Sequence, residues 1–89
     1  MKIAFKDSFH KDLKSILNDK KLFARIKETI LLIEESPGIE SIGNVKKLKS
    51  DGSYFRIRIG DYRLGFIVED DTAVFVRILH RSRIYRYFP

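Results

Sequence analysis

Arg56, Arg58 and Arg63 crowd around the dipeptide Gly60-Asp61. The stretch HRSRIYRYFP, residues 80–89, adds a histidine, three further arginines and three aromatic rings without one acid. Guanidinium groups grip phosphate through two parallel bonds and stack on planar rings, so the pattern points to a polyanion such as RNA. Cleaving RNA without a metal takes few parts: a base for the ribose 2′-hydroxyl, cations for the charge on phosphorus, and an acid for the leaving 5′-oxygen. Arg63 and Arg81 are the expected clamp on the scissile phosphate. His80 carries the one side-chain type here, besides His10, that exchanges protons near neutral pH, which suits a base. Tyr85 can stack on a nucleobase or donate a proton, and stacking is how aromatic rings usually hold single-stranded RNA. Arg56, Arg58 and Arg77 are expected along the phosphate backbone. Arg83 and Arg86 add general attraction for RNA or for an acidic protein. Against this stands a plainer possibility: single arginines on strands are often solvated, and a lone histidine is often structural.

Two hydrophobic periods define the elements that must position these groups. KIAF reads as a short first strand. Phe9, Leu13, Ile16 and Leu17 form the stripe of an amphipathic helix, which Ser8 caps and Asn18-Asp19 interrupts. A second helix carries Phe23, Ile26, Ile30 and Ile33 on one face and stops at ESPG. So short a break predicts an antiparallel helix hairpin. Past Pro37 the period falls to two. VKKL is a weak strand, and SDGS a turn built on Asp51-Gly52. YFRIRI alternates strictly, with Phe55, Ile57 and Ile59 on one face and Arg56 and Arg58 on the other. After the Gly60-Asp61 turn, YRLGFIV puts Leu64, Phe66 and Val68 opposite Arg63. EDDT turns the chain again, and AVFVRIL, the most apolar strand, is expected to be central. This predicts an α+β fold, with the N-terminal strand and helix hairpin packed on a mainly antiparallel four-stranded sheet. If the apolar strand faces cover the helices, Arg56, Arg58 and Arg63 project from the other side. Arg58 and Arg63 then meet across the turn, where like charges cost stability unless an anion relieves them. Alternation through HRSRIYRYFP would anchor Ile84, with Tyr87 or Phe88, and turn His80, Arg81 and Tyr85 toward the hairpin arginines.

Composition narrows the partners. At 89 residues, with 44% apolar side chains, the chain reads as one domain spanning 1–89. It has no cysteine, which excludes disulfides and thiolate zinc sites, and two distant histidines make no ligand set. No metal or other cofactor is expected. Charges recur through MKIAFKDSFHKDLK and argue against a secretory signal, while ILLI is far too short to span a membrane. A cytoplasmic protein with no membrane partner is expected. Net charge is +6, and its distribution is uneven: all ten lysines lie at or before Lys49, and seven of the eight arginines lie between Arg56 and Arg86. That segregation fits a lysine-coated scaffold followed by an arginine-built site.

ESPG at the end of the second helix, KKLKSDGSYFRIRIGDYRLGF through the central hairpin and HRSRIYR near the end carry a resemblance. Over almost its whole length the chain resembles the RelE/ParE superfamily of bacterial and archaeal toxin–antitoxin modules, nearest the RelE-like branch. The resemblance implies the RelE-like microbial RNase fold and a toxin that cuts messenger RNA in the ribosomal A site, against ribosomal RNA, leaving a 2′,3′-cyclic phosphate. It also implies a cognate antitoxin that wraps around the toxin, with a toxin–antitoxin heterotetramer as one expected assembly. By position, Arg56 and Arg58 fall where RelE-like enzymes place basic residues on the strand. Arg63 matches the arginine after the hairpin turn, Arg81 the arginine after the last strand, and Tyr85 the C-terminal tyrosine. Some relatives carry lysine where this chain has Arg56 and Arg58, and arginine holds its proton too firmly to act as a base. Many carry an acid shortly after the position of Arg81, where Ser82 and Arg83 stand here. Those departures leave His80 as the base by elimination. Two rivals follow from the same resemblance: a ParE-like toxin that binds DNA gyrase without nuclease chemistry, and an RNA-binding homologue that has lost activity.

Overall fold

The computed structural model describes residues 1–48 and 53–89. The chain runs β1 (Lys2–Phe5), α1 (Asp7–Lys14), α2 (Lys20–Glu35), a 3-10 turn at Ile39–Ser41, β2 (Val45–Lys47), β3 (Tyr54–Ile59), β4 (Tyr62–Glu69), β5 (Thr72–His80) and α3 (Arg81–Tyr87). The turn expected at Asp51-Gly52 lies outside the described residues. Strands β2 to β5 form the expected antiparallel meander, and β1 adds to it in parallel along Thr72–Phe75. The sheet therefore has five strands rather than four, in the order β1-β5-β4-β3-β2. The middle strand is β4, with β5 interior between β1 and β4. Among the described residues no helix is long and apolar enough to cross a membrane.

A strand as apolar as β5 needs both edges covered, and β1 is long enough for only half of one. Where β1 stops, α1 takes over. The Lys6 N–H donates to the Phe75 carbonyl at 2.9 Å, and the Ser8 hydroxyl donates to the Val76 carbonyl at 2.6 Å. The Asp12 carboxylate then accepts the Ile78 N–H at 3.0 Å. Ser8 thus serves the strand edge instead of capping α1, whose N-cap is Lys6 with no side-chain bond. The Asn18-Asp19 break does start the next helix: Asp19 Oδ1 accepts the Leu22 N–H at 3.1 Å, a conventional N-cap.

The main core lies between the two helices and the inner face of the sheet. Phe9 from α1 and Leu22, Ile26 and Ile33 from α2 meet Phe55, Ile57, Ile59, Leu64, Phe66, Ala73, Phe75 and Ile78. The buried face of α2 holds Ile26 and Ile33 as expected, with Ile30 packed against the core, but Leu22 is buried while Phe23 is exposed, as is Leu17 of the α1–α2 connection. Between β4 and β5, Phe66 pairs with Phe75 but Gly65 pairs with Arg77. Val76 is therefore the extra residue of a bulge, which lets Phe75 and Ile78, three positions apart, both face the core.

A second, smaller core on the outer face explains why the C-terminal stretch is a helix and not an extension of β5. Leu79, Ile84 and Phe88 are buried there, with Leu48, Tyr54 and Val76 packed against them. Helical geometry stacks Ile84 and Phe88, four residues apart, on one side of α3. Tyr87 stays exposed and is not an anchor. Phe88 presses on β4 at Gly65, where a Cβ would come within 2.6 Å of its ring. Gly65→Ala should therefore cost about 2 kcal/mol by overpacking and loosen α3. Urea denaturation and limited proteolysis of the C-terminus check this; an unchanged midpoint would mean that Phe88 has room to yield.

Candidate nucleic-acid interface

The outer face of β2, β3 and β4 collects the cations because the period of two places them there. In the ladder Lys46 lies opposite Arg56, and Arg58 lies opposite Arg63. The hairpin is closed by Gly60 at φ +59°, a left-handed value that favours glycine at the first position of a tight turn. With Asn44 just before β2 and Tyr85 from α3, these four cations line a cavity of about 240 Å³. Among the described residues none of the four has a carboxylate within ion-pair distance. Positive charge gathered in a concave site without acids is built for an anion.

Each wall is held differently. Arg56 is only 8% exposed, and its guanidinium lies 4.6 Å from the centroid of the Tyr85 ring. That contact fixes Tyr85 from one side, while the ring as a whole is 67% exposed and can take a nucleobase on its free face. Arg63 donates through Nη1 to the carbonyls of Gly60 at 3.0 Å and Tyr62 at 2.9 Å. These carbonyl dipoles draw the group toward the turn, which eases its repulsion with Arg58 and leaves Nε and Nη2 for a ligand. Arg58 is exposed on the same face.

The cavity brings together Arg56, Arg58, Arg63 and Tyr85 as expected, and it leaves out the other expected site residues. His80 pairs with Tyr62, one position out of step with the arginine face, and its ring meets that tyrosine edge-on at 5.5 Å. Its Nδ1 accepts the Ser82 N–H at 3.1 Å and so caps α3. The expectation that His80 would face the hairpin arginines is corrected for this reason: paired with Tyr62 while Leu79 pairs with Arg63, it takes the opposite face of the sheet. Arg81 is tied to the hairpin turn, where its N–H donates to the Asp61 carbonyl at 2.7 Å. Its guanidinium, 64% exposed, is 4.0 Å from the Asp61 carboxylate.

Arg77 is engaged elsewhere. Its Nε and Nη2 donate to the Asp12 carboxylate at 2.8 and 2.9 Å, and that side-chain bond raises the Arg77 pKa above its ordinary value. The rings of α3 continue the arrangement, with Arg77 and Arg83 lying 5.3 and 5.5 Å from the centroid of Tyr87. Arg86 is exposed in the last turn of α3. Lys46 and Asn44 were not anticipated from sequence. Carrying the alternation back into VKKL would have found Lys46, since Val45 lies opposite Ile57 and so turns Lys46 to the face of Arg56.

Helices on one face of a mixed sheet, with a basic cavity and a short C-terminal helix on the other, give the architecture of the toxins of type II toxin–antitoxin systems. The chain belongs to the ParE toxin family of such systems, whose family model matches residues 3–85. It is 43% identical over 93 residues to Toxin RelE3 of Methanocaldococcus jannaschii, covering all of both chains. Its fold matches the toxin in the RelB–RelE antitoxin–toxin complex from Methanococcus jannaschii with a TM-score of 0.79 at 40% identity, over 97% of this chain and 99% of that one. It also matches the heterotetrameric YoeB–YefM toxin–antitoxin complex from Staphylococcus aureus with a TM-score of 0.72 at 29% identity, over 90% and 95%. The resemblance carried by the central hairpin is borne out, and the α+β architecture with it.

Proposed function

We propose that this toxin is a ribosome-dependent endoribonuclease that cuts messenger RNA in the ribosomal A site without a metal. The observation that carries this reading is the cavity in which Lys46, Arg56, Arg58 and Arg63 converge beside an exposed Tyr85. In the reaction the ribose 2′-oxygen attacks the adjacent phosphorus, and the bond from phosphorus to the 5′-oxygen breaks. A 2′,3′-cyclic phosphate and a 5′-hydroxyl result. Arg56, Arg58 and Arg63 hold the phosphate and the charge that grows on it, and Arg81 joins from beside the hairpin turn by exchanging its loose contact with Asp61 for the RNA. Tyr85, backed by Arg56, stacks on a nucleobase and sets the phosphate against the arginines. So sparse an acid–base set fits an enzyme that relies on the ribosome to bend its substrate into place.

Residues 1–89 act as one domain in this reading, in the cytoplasm, where translating ribosomes are. A cognate antitoxin silences the toxin, in an assembly such as a heterotetramer. An apolar hollow of about 310 Å³ lined by residues including Phe9, Leu13, Phe23 and Ile30 supports such a partner. Lys27 also lines it, and a cation beside an apolar hollow suits an acidic protein.

Expression without the antitoxin, followed by mapping of message 5′ ends, tests the reading. Cuts should fall within translated codons and disappear when translation is blocked. Intact messages together with inhibited DNA gyrase would instead establish the gyrase-binding alternative.

A further inference from the structure

Every cation expected from sequence at the phosphate is an arginine, and guanidinium does not release its proton in a protein. The reaction nevertheless requires a proton for the leaving 5′-oxygen. His80 does not line the cavity, and its Nδ1 is engaged as the cap of α3. Lys46 does line the cavity, directly across the ladder from Arg56. Among the described residues it is the one cavity cation that is not an arginine, and an ammonium can act as a proton donor where a guanidinium cannot.

We infer that Lys46 is the general acid of this site. The inference rests on the nuclease reading above. As the 2′-oxygen bonds to phosphorus, the bond from phosphorus to the 5′-oxygen breaks and that oxygen takes a proton from Nζ of Lys46. The 2′-hydroxyl proton passes to solvent water, from which the Lys46 amine is then reprotonated, so charge and atoms balance over one turnover. Arg56, beside Lys46, holds the phosphate oxygens while this transfer occurs. Lys46 sits on a three-residue edge strand with its side chain exposed, which gives it the freedom to follow the leaving oxygen. Asn44, which lines the cavity two residues earlier, offers an amide but no exchangeable charge.

The test pairs Lys46→Arg with a substrate that needs no acid. Arginine keeps the charge and the phosphate contact but cannot give up the proton. Ribosomes programmed with a short synthetic message carry, at the A-site codon, either the natural linkage or a bridging 5′-sulfur, whose thiolate leaves unprotonated. On the natural linkage Lys46→Arg should slow the single-turnover rate by about 10²–10³-fold, the scale of a lost general acid. Binding to the programmed ribosome should stay within about threefold, because the positive charge remains. On the sulfur linkage the variant should cut within about threefold of the wild-type rate, since no proton is then needed. Equal slowing on both linkages would reduce Lys46 to a phosphate contact and overturn the inference, as would a variant that matches wild type on both. Wild-type protein that cuts neither message would instead sink the nuclease reading itself, and the inference with it. A thermal melt of Lys46→Arg confirms that the variant is folded.

Discussion

Asp12→Ala is expected to destabilise the fold by about 3 kcal/mol, at the lower end of the range for breaking a buried ion pair. One carboxylate accepts three hydrogen bonds there. It holds Arg77 through two bonds of 2.8 and 2.9 Å, and it accepts the Ile78 N–H at 3.0 Å. It is itself 8% exposed, whereas Arg77 is 22% exposed and keeps some water, which moderates the loss. Alanine would leave an amide and a guanidinium without an acceptor where β1 no longer covers the strand edge. For a domain of this size, each kcal/mol moves the melting temperature by roughly 4–8 °C, so the drop should be on the order of 12–24 °C. Asp12→Asn keeps one acceptor oxygen and should lose less. Differential scanning calorimetry of both variants decides the matter; a fall of under about 1 kcal/mol for alanine would show that the pair merely decorates the edge.

Arg63→Ala should have the largest effect on activity among the arginine substitutions. Its guanidinium is aimed by the Gly60 and Tyr62 carbonyls, so its remaining donors are oriented before the substrate arrives. Losing one such preorganised donor to the developing charge should lower the rate of message cleavage by about 10²–10³-fold. Stability should change by about 1 kcal/mol or less, because the bonds lost are those of a half-buried side chain to an exposed turn. Arg63→Lys restores the charge without the fork and should recover only part of the rate. Single-turnover cleavage on programmed ribosomes, read beside a melting curve, separates the two effects. A rate within about threefold of wild type would remove Arg63 from the clamp.

The arginine face was legible in the chain because a strand has only two faces. Once Phe55, Ile57 and Ile59 are assigned to the core, Arg56 and Arg58 have nowhere else to go, and the Gly60-Asp61 turn then brings Arg63 beside them. Tyr85 was legible as an aromatic ring among arginines, whereas Lys46 was missed because VKKL is too short to show its own period. The expectation for His80 failed on strand parity, since it pairs with Tyr62 and not with Arg63, and beyond it the stretch failed at a boundary. The alternation that works through YFRIRI was carried past Arg81, into residues whose only long-range instruction is a pair of apolar side chains, Ile84 and Phe88.

What the sequence determined by itself was therefore local and periodic: the helix stripes, the meander, the turn chemistry, and the sign of charge on the outer face. Side-chain alternation and turn propensity act over a few residues and can be read without knowing the neighbours. What only the tertiary structure decided was non-local. Gly65 leaves space into which Phe88 packs, α1 supplies the edge that β1 lacks, and Asp12 thereby takes Arg77 away from the phosphate site. Each depends on surfaces meeting across the sheet, where close packing and hydrogen-bond satisfaction, rather than sequence spacing, choose the partner.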